Sequence, residues 1–547
     1  MKRILTVAFC LLAIVAGLLY HTLHLGGTPF SPATLPQSYI LTVLPLDSRP
    51  PCTSFVRQLG NLAGFAVELP PDELLDKYEN AALVTELRKW LVTKITGSNG
   101  ILISTDMLSY GGLLHNRIAP LTQEQKLQTL QFLGKLRDEN PGKDFYAYSI
   151  IPRLLVSDQI LPDRWYQWHI MQWTINMDKK MQGLPFDEKR YKQMQDEIPA
   201  KLKEKYLNLY AQNAAFNQEL IDLAVDKKFT GLLIGQDDTM MFGLPNGNRW
   251  AAEDTLHKLN VPPSYGVTQG ADEIGAIDTA ALFLMKHNFR PKIYLTYSTP
   301  QTKDLFLHFV PDSLENIALD KIKLLNGQVV SSVEDADFIL FIHCGDNPGA
   351  SYRDIAQNVR QLMTQKPVAL VDLSEDYDYR ECLFPSLLVN NTPVPQLLSY
   401  AGWNSASNSI GTALAQGAIV VLQSRLLSPA ALPSLYARNL TFNCARFLDD
   451  WAYQQKIRYK IKDFQELNGI DTQHTAPYTS LVENYIAREL AVYKNILLYT
   501  SLRRFPFYQF GKTAYYLKDL DYHVKLPWER VFEISLTVQP TFVKKTI

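Results

Sequence analysis

GLLIGQDDTMMFG, residues 231–243, runs from an apolar segment straight into two adjacent acids and closes on a glycine. A strand buried on both faces needs continuous apolarity instead of alternation, and a parallel strand with helices on either side of its sheet is buried in that way. The polar tail then falls at the carboxyl end of the strand, where parallel α/β folds hold their ligands.

The same pattern recurs in ILIS (101–104), FILFI (338–342) and VALVDL (368–373), each followed by polar or glycine residues. Strands are expected at Ile40–Leu46, Gly100–Thr105, Phe145–Ile151, Thr230–Gly235, Ser264–Gln269, Lys292–Tyr297, Ala336–His343, Val368–Leu373 and Gln396–Tyr400, with helical patterns between them. This alternation predicts an α/β fold of parallel-strand βα units. The expected order is a barrel-like first unit over residues 39–290, a smaller doubly wound unit over 291–440, and a helical C-terminal region with terminal aromatic strands over 441–547. A charged, helix-prone insertion is expected near 164–227.

The chain has 547 residues, enough for two to four structural units at about 100–200 residues per domain. With 54 Lys+Arg against 55 Asp+Glu, no charge excess points to nucleic acid or to an anionic membrane surface. Met1-Lys2-Arg3 followed by the apolar run Ile4–Tyr20 matches a secretory signal or an N-terminal membrane anchor over residues 1–25. The Gly-, Pro- and Thr-containing segment 26–38 is then a linker, and any membrane contact is through the N-terminal segment only. Export permits disulfides, and Cys52, Cys344, Cys382 and Cys444 allow either two bridges or free buried thiols.

Five strand ends carry acids. LPLDSRPP (44–51) places Asp47 and Arg49 after the first strand, where an arginine fork suits a carboxylate, a phosphate or a sugar hydroxyl, or closes a structural Asp–Arg turn. ILISTDMLSYGGLLHNR (101–117) offers Asp106 and Tyr110, with helix N-capping an equally good reading of Asp106. Asp237 and Asp238 are adjacent, so one carboxyl is expected to have a raised pKa and suit acid/base work. VTQGADEIG (267–275) adds Asp272 and Glu273, and VALVDLSEDYDYR (368–380) adds Asp372. HCGDNPG (343–349) and SYAGWNSASNSIGTALAQG (399–417) are further loops, and in the second Trp403 offers a sugar platform and Asn404 an amide. Close strand-to-helix packing explains the small residues of that loop equally well.

Nucleotide-loop, zincin and serine-hydrolase motifs are absent from the sequence. Taken together, LPLDSRPP, STDMLSYGGLL, GQDD, GADE, SYAGWNSASNSIGTALAQG and the closing LPWERVFEI (526–534) resemble a bacterial family known only as a domain of unknown function. The resemblance spans about Tyr39 to Leu536 and carries no catalytic residues with it.

The expected function is an exported, extracytoplasmic hydrolase, foremost a glycoside hydrolase of bacterial or host glycan, hexosaminidase-like variants included. Asp237 and Asp238 are the first catalytic candidates. Because neighbours in a strand point to opposite faces, Asp272 or Glu273 must partner them unless the backbone turns. Asp47, Arg49, Asp106, Tyr110, Trp403 and Asn404 are the expected substrate contacts, for a carbohydrate or other small molecule. No dedicated metal set or cofactor is expected. Two other readings stand: a divalent-cation hydrolase using Asp47, Asp106, Asp237 and Asp272, and a noncatalytic glycan-binding envelope protein using Trp403, Tyr110 and Asn404.

Overall fold

The computed structural model describes residues 26–154, 164–262, 264–345, 350–374 and 382–547. The expected signal or anchor with Cys10, the loop residues 346–349, and the acids Glu375, Asp376 and Asp378 lie outside the described residues.

A short strand, β1 (Thr28–Phe30), precedes a six-stranded sheet made of β2 (Tyr39–Leu44), β3 (Phe65–Glu68), β4 (Gly100–Ser104), β5 (Asp144–Ile151), β6 (Gly231–Gln236) and β7 (Tyr265–Gln269). All its pairings are parallel and its order is β3-β2-β4-β5-β6-β7. The sheet is therefore open, with β3 and β7 at its edges, where the sequence suggested a barrel. A barrel and an open sheet share the same local βα pattern, and only the side on which each new strand pairs distinguishes them.

The second sheet holds β8 (Lys292–Tyr297), β9 (Gln328–Val329), β10 (Phe338–Cys344), β11 (Val368–Leu373) and β12 (Ser399–Ala401) in the order β12-β11-β10-β8-β9, again parallel. In each sheet the second strand lies on one side of the first and the third on the other. The chain thus reverses direction between β2 and β4 and again between β8 and β10, opening a crevice beyond the carboxyl ends of those strands.

Alternate residues of each strand enter different cores, as a period of two requires. In the first sheet Leu41, Val43, Leu102 and Tyr148 face one core, and Ile101, Ile103, Phe145 and Ile234 face another. Leu340, Ile342 and Val371 of the second sheet join that first core, so one apolar layer fills the space between the two sheets. Its helices include Ser54–Leu62, Ile274–Lys286, Leu314–Leu324 and Ala406–Leu426. The last is buried continuously from Ala406 to Gln423, its polar residues Ser407, Asn408, Ser409, Thr412, Gln416 and Gln423 included. Gly411 permits this because a Cβ there would sit 2.5 Å from Glu273 Cγ.

The insertion between β5 and β6 forms three helices, Gln167–Met181, Glu188–Glu197 and Ala200–Val225, with a small core of their own. The C-terminal region is helical over Leu432–Leu467 and Thr479–Leu502 and ends in β13 (Tyr508–Phe510), β14 (Thr513–Lys525) and β15 (Ser535–Thr546). These strands form an antiparallel sheet with β1, whose Thr28 pairs with Lys544, so part of the expected linker is sheet. Cys52, Cys344, Cys382 and Cys444 are buried, and no disulfide joins them among the described residues. Among the described residues no helix is long and apolar enough to cross a membrane.

One buried ion pair ties the halves together. Lys321 Nζ, on the helix Leu314–Leu324, lies 2.6 Å from Glu273 Oε1 beyond β7, both side chains being 0% exposed. The ammonium also donates to Thr268 Oγ1 at 2.7 Å and to the Gln269 carbonyl. Replacing Lys321 with Met strands a buried carboxylate, so a loss of about 3–5 kcal/mol is expected in urea unfolding, with partial recovery in the Glu273→Gln/Lys321→Met double variant. A Lys321→Met protein as stable as the wild type contradicts the tie.

Candidate functional site

The crevices of the two sheets meet in one cleft, roofed by the C-terminal region. Its larger chamber, of about 500 Å³, is bounded by Arg49, Arg153 and Asp238 from the first sheet and by Ser374, Trp403 and Asn404 from the second. Asp449, Gln454, Arg458, Tyr459, Phe532 and Glu533 of the C-terminal region complete it. A smaller chamber of about 170 Å³ adds Arg117, Asp237, Asp272, Trp528 and Arg530. Arg49, Arg153, Asp238, Asn404 and Phe532 line both chambers, so the two are continuous.

At the first switch point Arg49 bridges two strand ends. Its Nη2 donates to Asp47 Oδ2 at 2.6 Å and to Asp272 Oδ1 at 2.7 Å, while Nε reaches Asp47 Oδ2 at 3.0 Å. Asp47 also accepts the Arg49 backbone N–H, the turn clamp anticipated for LPLDSRPP. From the other side Asn404, held in the left-handed region at φ 52°, extends its amide to 3.5 Å from Asp272 Oδ2. Burial raises the Asp272 pKa to about 7 even though the Arg49 charge opposes that rise.

Asp237 and Asp238 follow the last residue of β6, where the chain leaves the pleat, and both border the smaller chamber. Asp237 accepts from Arg117 Nε at 2.6 Å and from the Asp238 N–H at 2.8 Å. Burial disfavours its charge, but Arg117 and Arg153 outweigh that and hold the carboxyl below its usual range. Asp238 is pushed up to about 6, first by burial and then by the neighbouring Asp237 charge. Its side chain is 16% exposed, and its nearest cation is Arg153 Nη1 at 3.6 Å.

Asp47, 0% exposed, and four other residues singled out in the sequence stand outside the cleft walls. Asp106 is fully buried, accepting from Asn116 Nδ2 at 2.6 Å and the Ile150 N–H at 2.9 Å, and burial pushes its pKa up to about 8. It does not cap the helix Thr105–Ser109, because Ser104 does so through the Met107 N–H. Tyr110 packs on the core of the outer face of the first sheet. Glu273 turns away into its pair with Lys321. Asp372 accepts the Leu383 and Phe384 N–H groups and the Tyr400 hydroxyl, anchoring the second sheet. Trp403 does line the larger chamber, edge-on to Phe55 at 5.8 Å.

The C-terminal contribution comes largely from the segment LPWERVFEI. Trp528 Nε1 donates to Ser48 Oγ at 2.7 Å, and its ring lies under both Arg49, at 4.9 Å, and Arg530, at 4.7 Å. Arg530 grips Glu533 with two hydrogen bonds of 3.0 and 2.9 Å. The π-helix Phe447–Ile457 presents Asp449 and Asp450 to Arg446 of the preceding turn.

A family model described as "Protein of unknown function (DUF4127)" matches residues 41–537. The chain belongs to this family. No curated protein matches the sequence. The match takes in both sheets and the Trp528–Glu533 roof, so every wall of the cleft lies within the DUF4127 region.

Reading strand ends for acids passed over Arg117 and Arg153 of this DUF4127 chain. Arg153 stands two residues beyond β5, much as Arg49 stands beyond β2, so searching the strand ends for bases as well would have found it. The oxygens considered for a divalent cation are matched to donors within the protein. Asp47, Cys52 and Asp272 have their ligand atoms within 4.8 Å of one another, and the Arg49 guanidinium already bridges the two carboxylates. Arg49→Met leaves two buried carboxylates without their cation, and a loss of about 3–5 kcal/mol is expected. Arg49→Lys, which lacks the fork, should lose less. Thermal and urea unfolding measure both, and unchanged stability in Arg49→Met would show that the bridge contributes nothing.

Proposed function

We propose that the cleft hydrolyses glycosidic bonds, with Asp238 as the proton donor. The observation that carries this reading is positional: among the described residues Asp238 is the one carboxyl that borders both chambers, so a ligand spanning them passes over it. Trp403, Tyr459, Phe532 and Phe309 border the larger chamber, which gives it apolar surface to set against sugar rings.

Two neighbouring carboxyls with pKa values driven apart divide the acid and base roles between them. Asp238, pushed up to about 6, holds a proton to give; Asp237, held low by its arginines, stays ionised. In the proposed reaction the Asp238 proton passes to the glycosidic oxygen as the bond from that oxygen to the anomeric carbon breaks. The positive charge developing on the sugar is met by the Asp237 carboxylate, directly or through an acetamido oxygen of the substrate that Asp237 steadies. Water then adds to the anomeric carbon and its proton returns to Asp238. The substrate class is a bacterial or host glycan met outside the cytoplasm, and that part of the proposal rests on the basic and apolar N-terminal sequence Met1–Tyr20.

Loss of a general acid is felt most where the leaving group needs the proton. Asp238→Asn is expected to slow hydrolysis of alkyl glycosides by about 10²–10⁴-fold and to spare 4-nitrophenyl glycosides, whose leaving group departs as an anion. Since donation requires the protonated acid, kcat/KM of the wild type, which reports the free enzyme, should fall as pH rises through about 6. It should also fall in acid, as Asp237 becomes protonated. Undiminished cleavage of alkyl glycosides by the variant would remove Asp238 from the mechanism, and binding without turnover across a glycan panel would favour a noncatalytic glycan-binding protein.

A further inference from the structure

The arginines of the cleft are not equally matched. Arg49 is held by Asp47 and Asp272, Arg117 by Asp237, and Arg530 by Glu533. Arg153 and Arg458 differ. The nearest carboxylate to Arg153 is Asp238 at 3.6 Å, beyond hydrogen-bond range, and its Nε, sealed from solvent, meets no acceptor among the described residues. Arg458 forms no ion pair among the described residues. Its Nη1 donates to the neutral Gln454 Oε1 at 2.7 Å, and its Nε is likewise sealed without an acceptor.

Both guanidinium groups border the larger chamber. The Arg153 side chain is 26% exposed although its Nε is sealed, which leaves the terminal nitrogens as the groups open to a ligand. Phe532, which lines both chambers, has the Arg458 guanidinium over its ring at 5.3 Å and that of Arg530 at 5.2 Å. A guanidinium carries five N–H donors in a planar fork suited to carboxylate and phosphate oxygens. The terminal N–H groups that face the chamber, with no carboxylate in hydrogen-bond range among the described residues, can form charge-assisted bonds to an anionic ligand.

We infer that Arg153 and Arg458 receive an anionic group of the ligand, a carboxylate or a phosphate, on a sugar unit close to Asp238. The inference rests on the carbohydrate reading above and narrows it to acidic glycans. It also gives Arg153 two duties. Free, it lies near Asp238; engaged by the ligand anion, it withdraws part of the positive charge that favours ionised Asp238, so the acid keeps its proton while substrate is bound.

Binding to the full chain, followed by calorimetry with methyl β-glucuronide, glucose 6-phosphate and neutral methyl β-glucoside, tests this directly. At least one anionic sugar is expected to bind about tenfold or more tightly than the glucoside, as charge-assisted hydrogen bonds imply. The preference should weaken with added salt, shrink to within about threefold in Arg153→Gln, and be partly retained in Arg153→Lys. Which anionic sugar binds more tightly separates carboxylate from phosphate. Arg153→Lys, with the charge on a flexible stem, carries the test should Arg153→Gln not fold. Equal or undetectable binding of the three sugars, or a preference that survives Arg153→Gln, overturns the inference. The anion preference is also read in Asp238→Asn, which keeps the arginines: its presence there with no hydrolysis by the wild type defeats the glycosidase reading alone, and hydrolysis of neutral glycans without any preference defeats this inference alone.

Discussion

The dipeptide Asp272–Glu273 carries the constraint on which the architecture turns. Its two carboxyls, at the end of a single strand, are buried and point to different partners: Asp272 to Arg49 of the first switch point, Glu273 to Lys321 on a helix that packs between the sheets. Each charge, taken from water, requires an opposite charge at short range, and neither partner is close in sequence. Neutralising both acids therefore ties the segment after β2 to the segment after β7 at the floor of the cleft and holds the second sheet against the first. Gly411 and the buried helix Ala406–Leu426 follow from the same constraint, since a side chain at 411 would meet Glu273.

Around that floor, charge is arranged by local matching. Arginines and acids alternate through the walls, and most arginines have a carboxylate within hydrogen-bond distance. Such pairing keeps polar side chains rigid in a sheltered space, as a site that must orient a ligand requires. Asp238 and Arg153 depart from the pattern. They face each other at 3.6 Å, are partly exposed, and stand where the chambers join, so they are the groups least committed to the protein and most available to a bound molecule.

The C-terminal region changes what the sheets can do. Two crevices at adjoining switch points would be open troughs. The segment around Trp528, pinned to Ser48 and stacked beneath Arg49 and Arg530, closes one side and lines both chambers through Phe532. The motif LPWERVFEI was conspicuous in the sequence, but its place gave no hint of this, because contact with Ser48 spans almost the whole chain.

Apolar runs buried on two faces have a local cause, so the parallel strands could be read from the residues themselves: Lys292–Tyr297 and Val368–Leu373 match the expected limits, and most others fall within one or two residues. The acids after those strands were legible for the same reason. Short or half-exposed strands such as β3 and β9 lack the apolar run and passed unread. Whether the first sheet closed or stayed open, which way Glu273 and Asp106 turned, and that Arg117, Arg153 and Arg530 would join the site were decided by tertiary structure. Those outcomes depend on strand order and on ion pairs between residues far apart in the chain, where the energy belongs to the meeting of two segments and neither segment alone records it.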